Sequence, residues 1–333
     1  MKKRMLPLLA ITLLSGCAGH QVKLAEYNPA QLKEADIMPS KAELAGKPMK
    51  VVVLGAKDAH IKMAKSAEVG LTVANAIEAQ LGKTGVELVD RSIAGKLGDE
   101  IALAEMKGSR GYKGPEVSDF VITGNITKAN TATDFTEARS GRDSKGNYYQ
   151  IAATCSFSAT VAGNVKIYQV PSLQLVKTID VESTRSNTRE TRTSYCDFPA
   201  AEQESLLREA AVSSVEKSRD VLQNYFAPHG YVLERRDSKS KSVFKVTLGS
   251  RQGAAPKGDV VFVQKTASNN PLTGEKSVEE YEVATGVVSD QLGPQFAWIV
   301  VDDKEAADKI RLGDTVKLAF KIGMFEKVVN FTR

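Results

Sequence analysis

The chain has 333 residues, of which 42% are hydrophobic, 26% charged and 6% aromatic. At about 100–200 residues per domain, that length predicts two domains or one large one, and the ordinary composition excludes wholesale disorder and a multi-span membrane protein. The formal charge of +5 falls to +2 when Lys2, Lys3 and Arg4 leave with residues 1–16 (42 basic against 40 acidic). That is too little for the basic face a nucleic-acid polymer requires, so no nucleic-acid partner is expected.

Met1 to Arg4 form a positive segment, and Met5 to Leu14 form an apolar one. The apolar stretch is too short to cross a bilayer core of about 30 Å as a helix. It ends Leu14-Ser15-Gly16-Cys17, which resembles the lipobox of bacterial lipoproteins. The resemblance implies that Cys17 accepts diacylglycerol and becomes the new N-terminus. Ala18, standing where an inner-membrane retention signal would place Asp, implies the periplasmic face of the outer membrane. Several acyl chains, at about 0.8 kcal/mol per buried CH₂, would make the anchor permanent. The plainer alternative is a secretory signal followed by an incidental Cys.

Cys155 and Cys196 remain in the exported chain. In an oxidising compartment one disulfide is the simplest use of them, and two buried free thiols are the alternative. A bridge would close a loop of roughly forty residues, worth about 3–4 kcal/mol.

Residues 17–48 are polar and broken by Pro29, Pro39 and Pro48, and they read as a tether. Met49 to Leu54 is a continuous apolar, β-branched run, as in a buried strand. Val69, Val73, Ile77 and Leu81 share one face of a helix predicted over 61–82, with Gly82 and Gly85 after it. A short strand at Val86 to Val89 and a helix from Ser92 to Met106 follow. The glycines of Gly108 to Gly114 come after a helix, not between strand and helix, so they read as a plain loop. Strands are predicted at Phe120 to Ile126, Ile151 to Tyr168 and Leu173 to Val181, then an amphipathic helix over 200–226 carrying Leu207, Ala211, Val215, Leu222 and Phe226. This order describes an α/β domain with an open mixed sheet covered by helices, residues 49–230. The charged, serine-rich run Glu234 to Ser242 marks a linker over 231–242. Beyond it, short strands at Val243 to Leu248, Asp259 to Lys265, Glu279 to Val288, Ala297 to Val301 and Thr315 to Lys321 predict a small SH3-like β-barrel or sandwich over 243–333.

Gly70-Leu71-Thr72-Val73-Ala74-Asn75-Ala76-Ile77, then Gly85 to Arg91, then Val117-Ser-Asp119-Phe-Val-Ile-Thr-Gly124-Asn-Ile126 resemble the successive motifs of the CsgG-like family, the curli secretion lipoproteins and their relatives, over about residues 49–227. The resemblance implies one of two roles. Some relatives form an oligomeric outer-membrane secretion channel whose hairpins cross the bilayer. Others, among them cell-wall synthase activators and the middle domain of a flagellar outer-ring protein, serve envelope machines from the periplasm.

A spanning strand needs about 9–11 residues with an apolar side chain at every second position. Over 125–149 one register reads Ile126, Lys128, Asn130, Ala132, Asp134 and the other Asn125, Thr127, Ala129, Thr131, Thr133. Over 178–198 one register carries Arg185 and Arg189, the other Asp180 and Glu182. A basic residue facing lipid near the midplane costs about 2–4 kcal/mol, so the sequence favours the non-spanning kind.

A search for chemistry finds no catalytic, cofactor-binding or metal-binding residue to single out. Asp90-Arg91, Asp99-Glu100 and Asp302-Asp303 read as solvated turns, since neighbours on a strand face opposite ways. His60 and His229 lack partners at metal-ligand spacing. Trp298 reads as core. Arg185, Arg189 and Arg192, with Arg139, Arg142 and Lys145, predict a basic hairpin rim: either a solvated face or a contact for a glycan, headgroup or partner protein. The expectation is a non-enzymatic outer-membrane lipoprotein that binds envelope proteins, as a homo-oligomer or as an accessory to another machine.

Overall fold

In the computed structural model, residues 21–44, 48–58, 60–92, 97–101, 103, 118–269, 271–274 and 276–321 are described. The strands, in chain order, are β1 (Asn28–Ala30), β2 (Lys50–Lys57), β3 (Glu87–Val89), β4 (Phe120–Thr136), β5 (Arg139–Arg142), β6 (Tyr148–Ile151), β7 (Thr154–Gln169), β8 (Gln174–Glu190), β9 (His229–Asp237), β10 (Ser242–Val246), β11 (Asp259–Asn269), β12 (Lys276–Leu292), β13 (Ala297–Val301) and β14 (Thr315–Leu318). The helices are α1 (Lys41–Leu44), α2 (Lys62–Ser66), α3 (Val69–Leu81), α4 (residues 97–101 and 103), α5 (Ala200–Lys217), α6 (Arg219–Tyr225) and α7 (Lys304–Ala307). They fall into two units. One takes in the chain up to Pro39 together with Gly230–Lys317, the other Ser40–His229 and the chain from Leu318. The mixed α and β architecture ending in a small barrel agrees with the sequence-based fold class.

The α/β unit is built on the sheet β3-β2-β4-β7-β8, with β2 parallel to both neighbours and the long β4, β7 and β8 antiparallel. Val51, Val52 and Val53 are all buried because β2 is covered on both faces, as a continuous apolar run requires. On one face Ile122, Ile126, Val161, Ile167 and Val181 pack against Val73, Ile77 and Leu81 of α3 and Leu207, Ala211 and Val215 of α5. On the other, Val52, Val121 and Tyr168 meet Leu97 and Ile101 of α4. The helix predicted over 61–82 is two helices, because Glu68 adopts left-handed backbone at φ 51°. That break lets Gly70 enter α3 against the carbonyl of Ala56. The helix predicted over 200–226 likewise breaks at Ser218. Of the helix expected from Ser92 to Met106, only Ser92, which lies in a turn, and residues 97–101 and 103 are described, and the glycine loop Gly108 to Gly114 and Cys17 lie outside the described residues.

The second unit is a closed barrel, β9-β10-β13-β12-β11-β14, with β14 pairing back onto β9. Phe244 and Phe262 meet inside it at 5.5 Å between ring centroids, with Ile299, Val260 and Val316 also fully buried. Two boundaries differ from the sequence reading. The linker expected over 231–242 is mostly strand β9, and only Ser238 to Lys241 form a turn, the Ser238 amide donating to the Lys241 carbonyl. The charges there are paired rather than solvated: Arg235 Nε donates to Asp237 at 2.8 Å and Arg236 Nε to Glu234 at 2.6 Å.

The tether expected over 17–48 is also largely folded. Residues 22–36 form a strap on the barrel. Val22 is 3% exposed, and its amide donates to Asp290 Oδ1 at 2.8 Å. Val22, Leu24 and Tyr27 cover the outward side of β10 and β13 at Val243, Trp298 and Val300. Asn28–Ala30 pairs antiparallel with Arg235–Asp237, with Pro29 on an edge strand, where a missing N–H is tolerated. Farther on, the Leu312 amide donates to the Lys33 carbonyl and the Ala35 amide to the Leu312 carbonyl. Asp36 pairs with Arg311 at 2.9 Å.

Candidate functional site

The sheet of the α/β unit ends where Thr136, Thr154 and Glu190 lie in register. Cys155 and Cys196 are disulfide-bonded there, their Cα atoms 5.5 Å apart. The bond holds the segment between β8 and α5 against β7, so Phe198 packs on Phe157 at 4.9 Å. Beside it lies an open cleft of about 260 Å³ lined by Phe157, Asn187, Arg189, Phe198, Glu202 and Glu209. Breaking a bridge across 41 residues releases loop entropy in the unfolded chain, and reduction is expected to cost about 2–4 kcal/mol. Thermal unfolding with and without reductant checks this, and the Cys155→Ala/Cys196→Ala variant should then be insensitive to reductant.

The three arginines of the predicted rim have different surroundings. Arg189 is engaged inside the cleft: it stacks on Phe157 at 4.6 Å, donates to the Asp197 carbonyl at 3.0 Å and pairs with Glu202 at 3.4 Å. Arg185 lies opposite Ala159 and shares the α5-facing side of β8 with buried Val181 and Ser183. Arg192 lies beyond β8 and is exposed. Both members of the Arg189–Glu202 pair are about half exposed, so Arg189→Ala is expected to cost under about 1 kcal/mol in urea titration.

Past this point the chain forms the hairpin β5–β6, with Arg139 opposite Ile151 and Arg142 opposite Tyr148. Asp143 accepts the amides of Lys145 (2.9 Å) and Asn147 (2.8 Å) and the side chain of Asn147 (2.9 Å). The Asn147 side chain above all holds its carboxyl below the usual range. The Tyr149 phenol crosses Gly141: a Cβ there would lie 2.7 Å from the hydroxyl, so a larger residue would displace the exposed tyrosine. Tyr148 is 70% exposed and Tyr195 77%, with Tyr149 and Ile151 also exposed. Sequence reasoning passed over this aromatic tip by starting the next strand at Ile151. The turn Asp143-Ser-Lys-Gly-Asn147 directly before Tyr148-Tyr149 was the available signal.

Asp99 and Glu100 are exposed on helix α4 rather than in a turn, and the other charged pairs have structural duties. Asp303 caps α7, accepting from the amides of Glu305 and Ala306. Asp302 pairs with Lys241 at 2.8 Å. Asp90 accepts the Ser92 amide at 2.8 Å, and Arg91 pairs with Glu78 at 2.8 Å. His60 and His229 are exposed, and Trp298 is 4% exposed. Among the described residues there is no group of three or more His, Cys, Asp or Glu arranged to hold a metal ion.

No family model matches the chain, and neither does any curated protein. Among solved structures, it is similar to a minor lipoprotein from Acinetobacter baumannii, at 7% identity and a TM-score of 0.25, over 53% of this chain and 92% of that one. It is similar to lipoprotein GNA1162 from Neisseria meningitidis, at 13% identity and a TM-score of 0.20, over 51% of this chain and 100% of that one. A dodecamer of the PelC L103M variant from Paraburkholderia phytofirmans is similar at 11% identity and a TM-score of 0.20, over 56% of this chain and 98% of that one. Likeness at this level assigns no role.

Proposed function

We propose that this chain is a lipid-anchored envelope protein on the periplasmic face of the outer membrane. It would bind and position other envelope proteins without catalysing a reaction, with a CsgG-like α/β unit as its partner-binding part. The observation that carries the reading is the short interval between a lipobox cysteine, Cys17, and a chain already folded onto the barrel at Val22. The structural duties of Asp90, Asp302 and Asp303 support the non-enzymatic part. The exposed hairpin with Tyr148 and Tyr149, which also carries Arg139, Arg142 and Lys145, supports a contact surface, since Tyr and Arg are enriched at interfaces and among their hot spots. The machine served would be of the flagellar outer-ring or cell-wall synthase type.

In-cell crosslinking followed by gentle solubilisation, pull-down and native mass tests this reading. The expected result is a complex containing another envelope protein, and that complex should be lost in Tyr148→Ser/Tyr149→Ser. A monomer that crosslinks to nothing would contradict it.

A second reading, an oligomeric secretion channel subunit, is favoured by one observation. Strands β4, β7 and β8 run 16–17 residues, where about 9–11 suffice to span a bilayer. The faces of those strands oppose it: Asn130, Thr160 and Thr184 sit in register on one side, with Thr160 and Thr184 hydrogen-bonded at 2.9 Å. Conductance in planar bilayers decides between the two.

A further inference from the structure

We infer that the cleft beside the strap on the barrel binds the phosphate of a phospholipid headgroup from the bilayer that holds Cys17. The inference rests on the lipid-anchor reading above. The cleft, about 370 Å³, is lined by Leu24, Arg236, Lys245, Asp290, Phe296 and Trp298 among others. It exists because the strap buries Val243, Trp298 and Val300 on the outward side of β10 and β13 but leaves Phe296 exposed.

Two cations line this cleft, each held by an aromatic ring. The Arg236 guanidinium lies 5.1 Å from the Trp298 ring and the Lys245 ammonium 5.2 Å from the Phe296 ring. Two carboxylates also line the cleft, so its formal charge balances: Glu234 takes Arg236 Nε at 2.6 Å, and Asp290 keeps its charge while accepting the Val22 amide at 2.8 Å. The remaining N–H groups of Arg236 and the Lys245 ammonium offer the donors that a phosphate needs. Phe296, 38% exposed, and Leu24 supply apolar surface for the glycerol end of a lipid.

Position decides the source of that phosphate. Five residue steps separate Cys17 from Val22, and fully extended they reach at most about 18 Å. Val22 is fixed by its buried side chain and by Asp290, so in an anchored chain the strap stays within that distance of the lipidated cysteine at the membrane surface. So short a tether keeps the effective headgroup concentration in the millimolar range. A site with a Kd of about 1 mM is then substantially occupied. A soluble phosphate ester would need far tighter binding to compete.

Trp298 is the single tryptophan of the chain, so its fluorescence reports on this cleft alone. The lipidated full chain is placed in vesicles of phosphatidylethanolamine and phosphatidylglycerol that carry a nitroxide either on the headgroup or at the acyl-chain end. The expected result is strong quenching of Trp298 by the headgroup label and weaker quenching by the deep label. The headgroup effect should be reduced in Lys245→Gln and lost in Lys245→Glu. Both changes fall on a half-buried strand position that faces the cleft, and unchanged thermal unfolding shows that each variant is folded. Emission indifferent to the headgroup label, in protein that floats with the vesicles, overturns the headgroup site and leaves the anchor standing. Wild-type protein that does not float, and behaves as Cys17→Ser does, overturns the anchor and the site together.

Discussion

Arg311→Met is expected to lower stability by about 3–5 kcal/mol, because it strips a buried carboxylate of its counter-charge. The side chain of Asp314 is 0% exposed. Its Oδ2 accepts the Arg311 amide at 2.7 Å and Gln264 Nε2 at 3.2 Å, and its Oδ1 takes Arg311 Nη2 at 3.2 Å. Burial raises its carboxyl above the usual range even with Arg311 opposing the shift. A carboxyl with a raised folded-state pKa favours folding below its unfolded value and loses that contribution as pH rises through the folded value. The variant should therefore be least impaired in acid and most impaired at neutral pH, and urea titrations at both conditions measure the difference. Arg311→Met/Asp314→Leu should recover much of the loss. The same arginine holds Asp36, so the change also loosens the strap. A loss below about 1 kcal/mol would mean that the pair behaves as a surface ion pair.

Gly70→Ala is expected to cost more than about 3 kcal/mol, at or beyond the upper end for overpacking. A Cβ at Gly70 would lie 2.0 Å from the Ala56 carbonyl oxygen and 3.0 Å from Asp58 Oδ2. Asp58 already accepts the Gly70 amide at 2.9 Å, so the start of α3 is fixed against the end of β2. The severe contact is with the Ala56 backbone, so moving the Asp58 side chain cannot relieve it. Gly55→Ala is the control: a Cβ there meets nothing within 4 Å, and its effect should stay within about 1 kcal/mol. Thermal unfolding of the two variants checks the contrast, and equal melting temperatures would show that α3 can shift freely.

Much of the α/β unit was legible because periodicity coincides with burial there. Val51 to Val53 and the four-residue spacing of Val69, Val73, Ile77 and Leu81 are both cores read directly from pattern. The outer reaches of β4 and β8 were missed because the inward positions there are small and polar. Thr131 reaches Gln203 at 3.2 Å and Ser183 reaches Ser213 at 3.0 Å, so α5 is met by hydrogen bonds that hydropathy does not register. The strap and β9 were missed for a related reason. Pro29, Glu234, Arg235 and Arg236 look like loop composition until their partners, distant in sequence, are known. At the aromatic tip the turn is readable in the sequence, whereas the exposure of Tyr148 and Tyr149 depends on which strands are covered.

The most direct test of the account is metabolic labelling with palmitate, followed by membrane fractionation of wild type and Cys17→Ser. The account predicts labelled wild-type protein in the outer-membrane fraction and an unlabelled, soluble variant. An unlabelled wild-type protein, or a Cys17→Ser variant that remains with the membrane, would contradict it.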